Sequence, residues 1–280
     1  IGETMPEPYD CFIALYPYPH ERIQRGEPHE ELNRRYLNRC EKGREEGFTP
    51  VVVGLDQTLL GTMLNNISVR TGVPSESVTA EQVRQHAHTI IEEYHSALAG
   101  ASVESLAHSA FERLSPDTFK GSYHELIEGE ALIIPGEYGT EATAVQPKPL
   151  TLMSAYINEE ADTQNSDAAG ELILLDMPVT EPAEALAYLP FGGWVGCPDA
   201  ADFMAIAHYW QERDEAVPAV VAAQYTEFYT PEPVNTTLDA AILAAEQCML
   251  SPAMLTDVYR GFSKLSESLY GSHNWYIWWR

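Results

Sequence analysis

The sequence predicts an α/β fold in which a mixed β-sheet is flanked by helices. The continuous apolar run at residues 48–55 and the segment 171–179 (ELILLDMPV) have the length and composition of buried strands. Between them lies an apolar stripe over residues 83–98 that is typical of an amphipathic helix. Strands that alternate with helical segments favour a layered α/β fold over an all-α bundle.

The helices are predicted from their starting residues and their apolar stripes. Pro28 suits the first turn of a helix, Asp56 suits the N-cap of the next one, and Thr79 with Gln82 suits a capping box. We therefore expect a helical insertion around residues 67–130. Further helical patterns cover residues 102–114, 182–189, 199–213, 237–250 and 261–269.

Three other segments complete the predicted sheet. Residues 216–229 supply one or two strands, and a hairpin there would make the sheet mixed. Residues 131–134 (ALII) are a short strand candidate, and residues 274–279 (NWYIWW) are the final, aromatic strand. Residues 1–26 are rich in Pro and Tyr, and we expect an extended or irregular arm there.

The chain is expected to form one α/β domain. Its core comprises residues 36–66 and 171–280, and residues 67–160 form an insertion that is largely helical. The small, polar stretch 158–170 is the best candidate for a linker or mobile loop. The alternative is a division into two domains near that stretch, since 280 residues suit either arrangement.

The charge excludes several partners. The chain has 42 Asp and Glu against 16 Lys and Arg, a formal net charge of -26. Such a surface repels phosphate backbones and anionic membranes, so we expect neither direct nucleic-acid binding nor membrane association. It favours either a basic protein partner or a surface that only confers solubility.

The cysteines indicate a reducing compartment. Their spacing forms no C-x-x-C pair and suits neither a zinc site nor a disulfide framework, which predicts reduced thiols in a cytoplasmic protein. No segment has the length of a membrane-spanning helix, and the first residues lack the order of a signal peptide. The cysteines are Cys11, Cys40, Cys197 and Cys248.

Two groups of residues have the spacing of a possible metal site or reactive site. His88, Glu92 and His95 share one helix face, but it lies away from the apolar stripe, which favours a solvated surface over a metal site. Cys197 precedes a helix whose dipole could activate it as a nucleophile, although a packed structural thiol is the simpler interpretation. No nucleotide or cofactor motif is present, so we expect no cofactor and no metal.

Aromatic residues are concentrated in the last third of the chain, together with a Glu-Gln pair. They predict either a large aromatic core or an aromatic-lined pocket whose polar groups come from that pair. Asp56, at the end of a predicted strand, suits a helix N-cap and also a ligand site at the sheet edge. The candidate pocket residues are Gly192, Gly193, Trp194, Cys197, Trp210, Glu246, Gln247, Trp275 and Trp278.

The same residues resemble the bacterial family catalogued as domain of unknown function 4253. The resemblance covers roughly 171–280 and 36–60, and it implies an α/β fold without implying a reaction. The chain departs from the family pattern at Val195 and Gly196, at Ser251 to Ala253, and at Arg280. The motifs are Leu189 to Trp194, Cys197-Pro198, His208-Tyr209-Trp210, Glu246-Gln247, Ser251-Pro252 and Trp275 to Trp279.

Two functions remain open on this evidence. The sequence favours a soluble protein that acts as an interaction or regulatory module, for example an immunity-type partner of a basic protein. The alternative is a small-molecule-binding protein or enzyme with an aromatic pocket near Gly192–Cys197 and Glu246–Gln247. Glycines would let a ligand approach the backbone there, and an acid beside an amide suits a sugar or nucleoside-like ligand.

Overall fold

A six-stranded mixed sheet organises the molecule. The computed structural model describes residues 7–23, 27–115, 147–153, 171–194 and 196–280. The strands lie in the order β1-β3-β2-β4-β5-β6; β2 and β4 pair in parallel, and every other neighbouring pair is antiparallel. The predicted fold class is thereby confirmed. The strands are β1 (His20–Ile23), β2 (Thr49–Leu55), β3 (Glu171–Met177), β4 (Val217–Ala222), β5 (Tyr225–Tyr229) and β6 (Asn274–Trp278).

Helices cover both faces of this sheet, and those predicted within the described ranges are present. Short 3-10 turns at Ser75–Ser77 and Pro182–Glu184 and a π-helical turn at Met254–Val258 connect them. The α-helices are α1 (Pro8–Leu15), α2 (His29–Glu46), α3 (Gln57–Thr71), α4 (Ala80–Leu98), α5 (Val103–Leu114), α6 (Ala185–Tyr188), α7 (Ala200–Asp214), α8 (Thr237–Leu250) and α9 (Phe262–Leu269).

The alternation of side chains along the central strands explains the two layers. In β2, Val51 and Val53 enter a large core against most of the helices, whereas Val52 enters a smaller core that contains Tyr36 of α2. Successive side chains of a strand point to opposite faces, so a strand that is apolar at every position is covered on both. This is why residues 48–55 are apolar without alternation.

The predicted helix starts are confirmed in detail. The Asp56 carboxylate accepts a hydrogen bond from the Leu59 backbone N–H at 2.7 Å, as an N-cap does. Thr79 and Gln82 form a capping box at the start of α4. Asp56 therefore begins α3 directly after β2, which fixes the direction in which α3 leaves the sheet.

The expectation for the first residues was wrong. Instead of an irregular arm, residues Pro8–Leu15 form α1 and residues His20–Ile23 form an edge strand paired with β3. The cause is tertiary burial: Phe12 and Tyr16 stack at 4.5 Å within the large core, and the Tyr16 hydroxyl donates to the Tyr188 carbonyl at 2.6 Å. The amino-acid composition of this segment cannot predict a contact with residues so distant in the chain.

Some predictions lie outside the described residues. These are the strand at 131–134, the linker at 158–170 and the part of the helical insertion beyond Ser115. Within the described ranges, α5 packs against α7 and contributes Phe111 to the same core as Trp210. The helices of the proposed insertion thus share a core with the C-terminal segment, and the single-domain organisation stays a prediction.

Candidate functional site

The exposed face of α3 and the loop after α6 enclose a surface cleft of about 440 Å³. The α3 side is a strip with a spacing of four residues, the period at which side chains share one helix face. The loop side contains the Gly-Gly-Trp motif. The lining residues are Gln57, Thr58, Gly61, Thr62, Asn65, Asn66, Gly192, Gly193 and Trp194.

Asn66 ties the two walls of the cleft together. Its side-chain amide donates to the carbonyls of Pro190 at 2.6 Å and of Gly192 at 3.0 Å. The loop is also closed on itself, because the Gly193 N–H donates to the carbonyl of Pro198 at 3.0 Å. The wall that carries Trp194 is therefore held by named hydrogen bonds to α3 and within the loop.

Glycine is required at position 192. Its φ of +87° lies in the left-handed region, and a Cβ there would sit 2.4 Å from the Pro198 carbonyl oxygen and 2.8 Å from the Cys197 sulfur. A side chain would therefore clash with backbone and strain the residue at once. The Gly-Gly-Trp motif folds the loop tightly enough to present Trp194 at the cleft.

Gly61 lies on the α3 side of the cleft, and no neighbouring atom requires a glycine at this position. A Cβ at this position would meet no atom within 4 Å, and Gly61 is exposed within a regular helix. Glycine in a helix interior costs about 1 kcal/mol relative to alanine. The helix thus bears a destabilising residue where it keeps the cleft open.

The residues that line the cleft carry no ionisable side chain. They offer amides, hydroxyls, exposed backbone and one indole, on a chain whose formal net charge is -26. Amides and hydroxyls both donate and accept hydrogen bonds, and the indole adds an apolar ring. Such a surface can recognise a neutral, hydrogen-bonding molecule, but it provides no group suited to general acid–base catalysis.

Cys197 lies buried beneath this loop. Burial raises the pKa of its thiol well above the usual value of 9.0, although a hydrogen bond from the backbone of Gly193 lowers it. A nucleophilic cysteine needs the opposite shift, since the thiolate is the reactive form. The structure therefore favours the packed structural thiol over the nucleophile.

Trp210 and Glu246 lie together inside the large core, where both are 0% exposed. The Trp210 indole N–H donates to the Glu246 carboxylate at 2.7 Å, and Arg213 donates to the same carboxylate at 2.9 Å. Burying a carboxylate is tolerated only when it is paired and hydrogen-bonded. This pairing lets an acid stand in the apolar layer between α7 and α8.

The other predicted pocket residues are wholly or partly buried. Gln247 and Trp275 are fully buried, and Trp278 is partly buried in the edge strand β6. Trp275 meets Trp210 edge-on, with ring centroids 5.8 Å apart. Gly192, Gly193 and Trp194 thus line the open cleft, whereas Trp210, Glu246, Gln247 and Trp275 are enclosed by the core.

The α3 wall of the cleft was missed at the level of sequence. Residues 57–66 read as an ordinary amphipathic helix with a solvated polar face. The one available signal was Gly61, a helix-disfavouring residue in a polar stripe that contains no charge from Gln57 to Asn66. Only the fold brings this stripe opposite a loop that lies more than a hundred residues away in the chain.

The three candidate metal ligands of α4 are His88, Glu92 and His95, and Glu92 is exposed. His95 contacts Glu184 through its Nε2 at 2.9 Å, and the His88 ring lies 6.4 Å from the Tyr188 ring. Across the described ranges, no group of three or more His, Cys, Asp or Glu side chains is arranged to hold a metal ion. Asp56 serves as the N-cap of α3 and does not line the cleft.

Comparison with known families identifies the C-terminal segment. Residues 173–280 match the family described as Domain of unknown function (DUF4253), which confirms the predicted resemblance for that segment. Neither a curated protein nor a solved structure matches the chain. In the part of the chain that the structure describes, no helix is both long and apolar enough to cross a membrane.

Proposed function

We propose that this protein binds a small, uncharged, polyhydroxylated molecule, such as a sugar, in the cleft between α3 and the Gly-Gly-Trp loop. The observation that carries the proposal is the lining itself, which combines amides, hydroxyls and one partly exposed tryptophan without any ionisable group. Of the two functions that the sequence leaves open, we therefore prefer the small-molecule-binding protein. Its pocket would be formed by the Gly-Gly-Trp loop and α3, and not by Glu246 and Gln247.

The chemistry of the lining selects the ligand class. Each sugar hydroxyl donates and accepts hydrogen bonds, as the amides of Gln57 and Asn65 do. Asn66 can contribute only its amide oxygen, because its NH₂ already donates to two carbonyls of the loop. The apolar C–H face of a sugar ring can pack on the indole of Trp194, since binding sites combine aromatic surface with a few polar groups. A purely apolar ligand would cover the exposed amides of Gln57 and Asn65 without replacing the water that they bond, at a cost of about 1–3 kcal/mol for each amide that it buries.

The charges argue against an ionic ligand. An anion would approach a chain with a net charge of -26 and meet no cation in the lining. A cation would be drawn to the surface as a whole but would find no carboxylate in the cleft. A neutral ligand is neither repelled by the net charge nor in need of a charged partner, so the cleft would select among neutral molecules by hydrogen bonding and shape.

The test is calorimetric titration with matched ligands. A panel of neutral monosaccharides and disaccharides would be compared with the uronic acid and amino-sugar forms of the same rings. We expect saturable binding of at least one neutral sugar and at least tenfold weaker binding of its charged forms. Equal binding of the charged forms, or binding of none of the neutral sugars, contradicts the proposal.

Variants locate the site. Trp194→Ala should weaken the binding at least tenfold, because the stacking surface is lost. Trp278→Ala is the matched control, since this tryptophan is also partly buried but lies on β6 and does not line the cleft. If Trp278→Ala weakens the binding and Trp194→Ala does not, the ligand lies at β6 instead.

A second candidate function is an interaction module with a basic protein partner. It is favoured by the ion pairs of α2 and α4, in which exposed arginines such as Arg34 and Arg84 are already paired with Glu31 and Glu81. The surplus negative charge therefore remains to attract a cationic surface. A complex with a basic protein that is recovered at low salt and weakens as the salt concentration rises supports this role, because salt screens exposed charges; recovery at neither salt concentration contradicts it.

The cysteines bear on the expected cytoplasmic location. Cys11, Cys40 and Cys197 are free thiols, and Cys197 and Cys248 are buried. Free thiols persist in reducing compartments, whereas oxidising ones favour disulfides. The free thiols therefore support a cytoplasmic location, in which the protein would bind its ligand or partner.

A further inference from the structure

A second, smaller cleft of about 250 Å³ lies where the C-terminal end of α3 faces the first half of α4. It shares no lining residue with the cleft described above. Its lining combines one cation with amides and hydroxyls and contains no carboxylate. The lining residues are Arg70, Thr71, Val73, Gln82, Gln85, His86 and Thr89.

His86 is the unusual member of this lining. It is 4% exposed, and its ring lies near the backbone of Ala187, which favours the charged form. The Nδ1 atom is buried and has no partner among the described residues. We assign the proton of the neutral ring to Nε2, on the side of Ala187, which leaves the lone pair on Nδ1.

The surroundings keep this ring neutral. Burial, together with the nearby positive charge of Arg70, lowers the pKa of His86 from 6.5 to about 4. At neutral pH, Nδ1 is thus a hydrogen-bond acceptor that lacks a donor. A buried polar atom without a partner is costly, and a ligand that supplies the missing donor recovers that cost.

Arg70 and Gln82 supply the complementary donors. Arg70 is partly exposed and paired with Glu93, which is itself 59% exposed, so this ion pair is weak and exchangeable. The side-chain oxygen of Gln82 is occupied by the backbone N–H and hydroxyl of Thr79, so its amide NH₂ is the group left for a ligand. The cleft thus presents a cation, an amide donor and one acceptor.

From this arrangement we infer that the cleft binds a protonated phosphate group, whose anionic oxygens pair with Arg70 and whose P–O–H donates to Nδ1 of His86. Hydrogen phosphate and a phosphate monoester share this chemistry, and both fit the volume. Sulfate has the same shape and charge but no hydrogen at neutral pH, so it cannot satisfy Nδ1. The site should therefore distinguish two nearly identical anions.

The experiment is calorimetric titration of the full chain at about pH 6.5 with inorganic phosphate, glycerol phosphate and sulfate. We expect phosphate to bind at least tenfold more tightly than sulfate, in line with the loss of one buried hydrogen bond. Tighter binding of glycerol phosphate than of inorganic phosphate would identify a monoester as the natural ligand, and the reverse order would identify the free ion. This comparison requires no variant and no refolded protein.

Three exposed substitutions assign the binding to this cleft. Arg70→Gln should weaken phosphate binding at least tenfold, whereas Glu93→Gln should strengthen it several-fold by releasing Arg70. Arg84→Gln is the matched control, because Arg84 pairs with Glu81 on the same helix but lies outside the lining. Equal binding of phosphate and sulfate, absence of phosphate binding at about 10 mM, or an equal loss in Arg84→Gln would overturn the inference.

Discussion

Trp194 and Trp210 belong to one sequence signature but stand in opposite environments. Trp194 is partly exposed at a cleft of neutral polar side chains. Trp210 is 0% exposed, donates its indole N–H to Glu246 at 2.7 Å and meets Phe228 edge-on at 5.0 Å. One tryptophan is placed to meet a ligand, and the other holds two layers of the fold together.

The difference shows that a cluster of motifs need not form one site. The Glu-Gln pair and most of the tryptophans lie in the core, where the Glu246 carboxylate already accepts hydrogen bonds from Trp210 and Arg213. The Gly-Gly-Trp loop instead faces α3, a helix from the first quarter of the chain. Substitutions in the two regions should therefore separate stability from binding.

The largest expected effect is on the core side. Glu246→Ala removes the carboxylate that pairs with Arg213 and Trp210, which leaves a cation and an indole N–H without their partner. We expect a loss of about 3–5 kcal/mol in the free energy of unfolding, measured by urea denaturation. Glu212→Ala on the exposed side of α7 is the control and should change stability by less than about 0.5 kcal/mol. Similar losses in both variants would contradict the account of the core.

A second effect concerns Glu227, a buried carboxyl on β5. Burial raises its pKa from 4.5 to about 7, against hydrogen bonds from Asn274 and the Met153 backbone that lower it. The folded chain holds this proton more tightly than the unfolded chain does, so its stabilising contribution is complete below pH 4.5. It is lost as the pH rises through 7, by up to about 3 kcal/mol.

Glu227→Gln should remove this part of the pH dependence. We expect the difference in unfolding free energy between variant and wild type to grow with pH between about 4.5 and 7 in favour of the variant. Glu232→Gln, an exposed position, provides the control. A variant whose stability follows the wild-type pH profile in parallel would show that Glu227 does not titrate in this range.

Substitutions of the two tryptophans should affect stability to different extents. Trp210→Ala should cost about 3–5 kcal/mol, as for a buried aromatic residue. Trp194→Ala should cost only about 1 kcal/mol, because much less of its surface is removed from water on folding. Denaturant titration of both variants measures the difference, and equal losses would mean that Trp194 is a core residue.

The smallest effect has the opposite sign. Gly61→Ala should stabilise the protein by about 0.5–1 kcal/mol, since alanine favours the helix and its Cβ meets no neighbour. The same methyl group should weaken sugar binding, because it stands on the wall of the cleft. A thermal melt gives the first quantity and calorimetry the second. A variant that is both more stable and binds the sugar unchanged would place the ligand away from α3.

Much of the fold could be predicted from local signals. The apolar run 48–55, the Asp56 cap and the Thr79 capping box each act within a few residues, and each is confirmed. The first helix could not be found in this way, because Phe12 and Tyr16 gain their place from contacts with residues such as Tyr188. Edge pairing of β1 with β3 also joins residues that are distant in the chain.

The candidate site was only half predictable for the same reason. The glycines of the loop signal a tight turn by themselves, and Gly192 has the positive φ that this implies. The polar face of α3 resembles any solvated helix face until the loop is placed opposite it by Asn66. Likewise, sequence could not show that the Glu246 carboxylate is already paired inside the core.

The most direct test is a ¹H–¹⁵N spectrum of the tryptophan indoles, recorded as a binding neutral sugar is added. We expect the Trp194 signal to shift with saturation, while the signals of Trp210 and Trp275 stay in place because both rings are enclosed. Shifts at Trp210 or Trp275 with an unchanged Trp194 would place the ligand in the aromatic core, and the division between cleft and core would then be wrong.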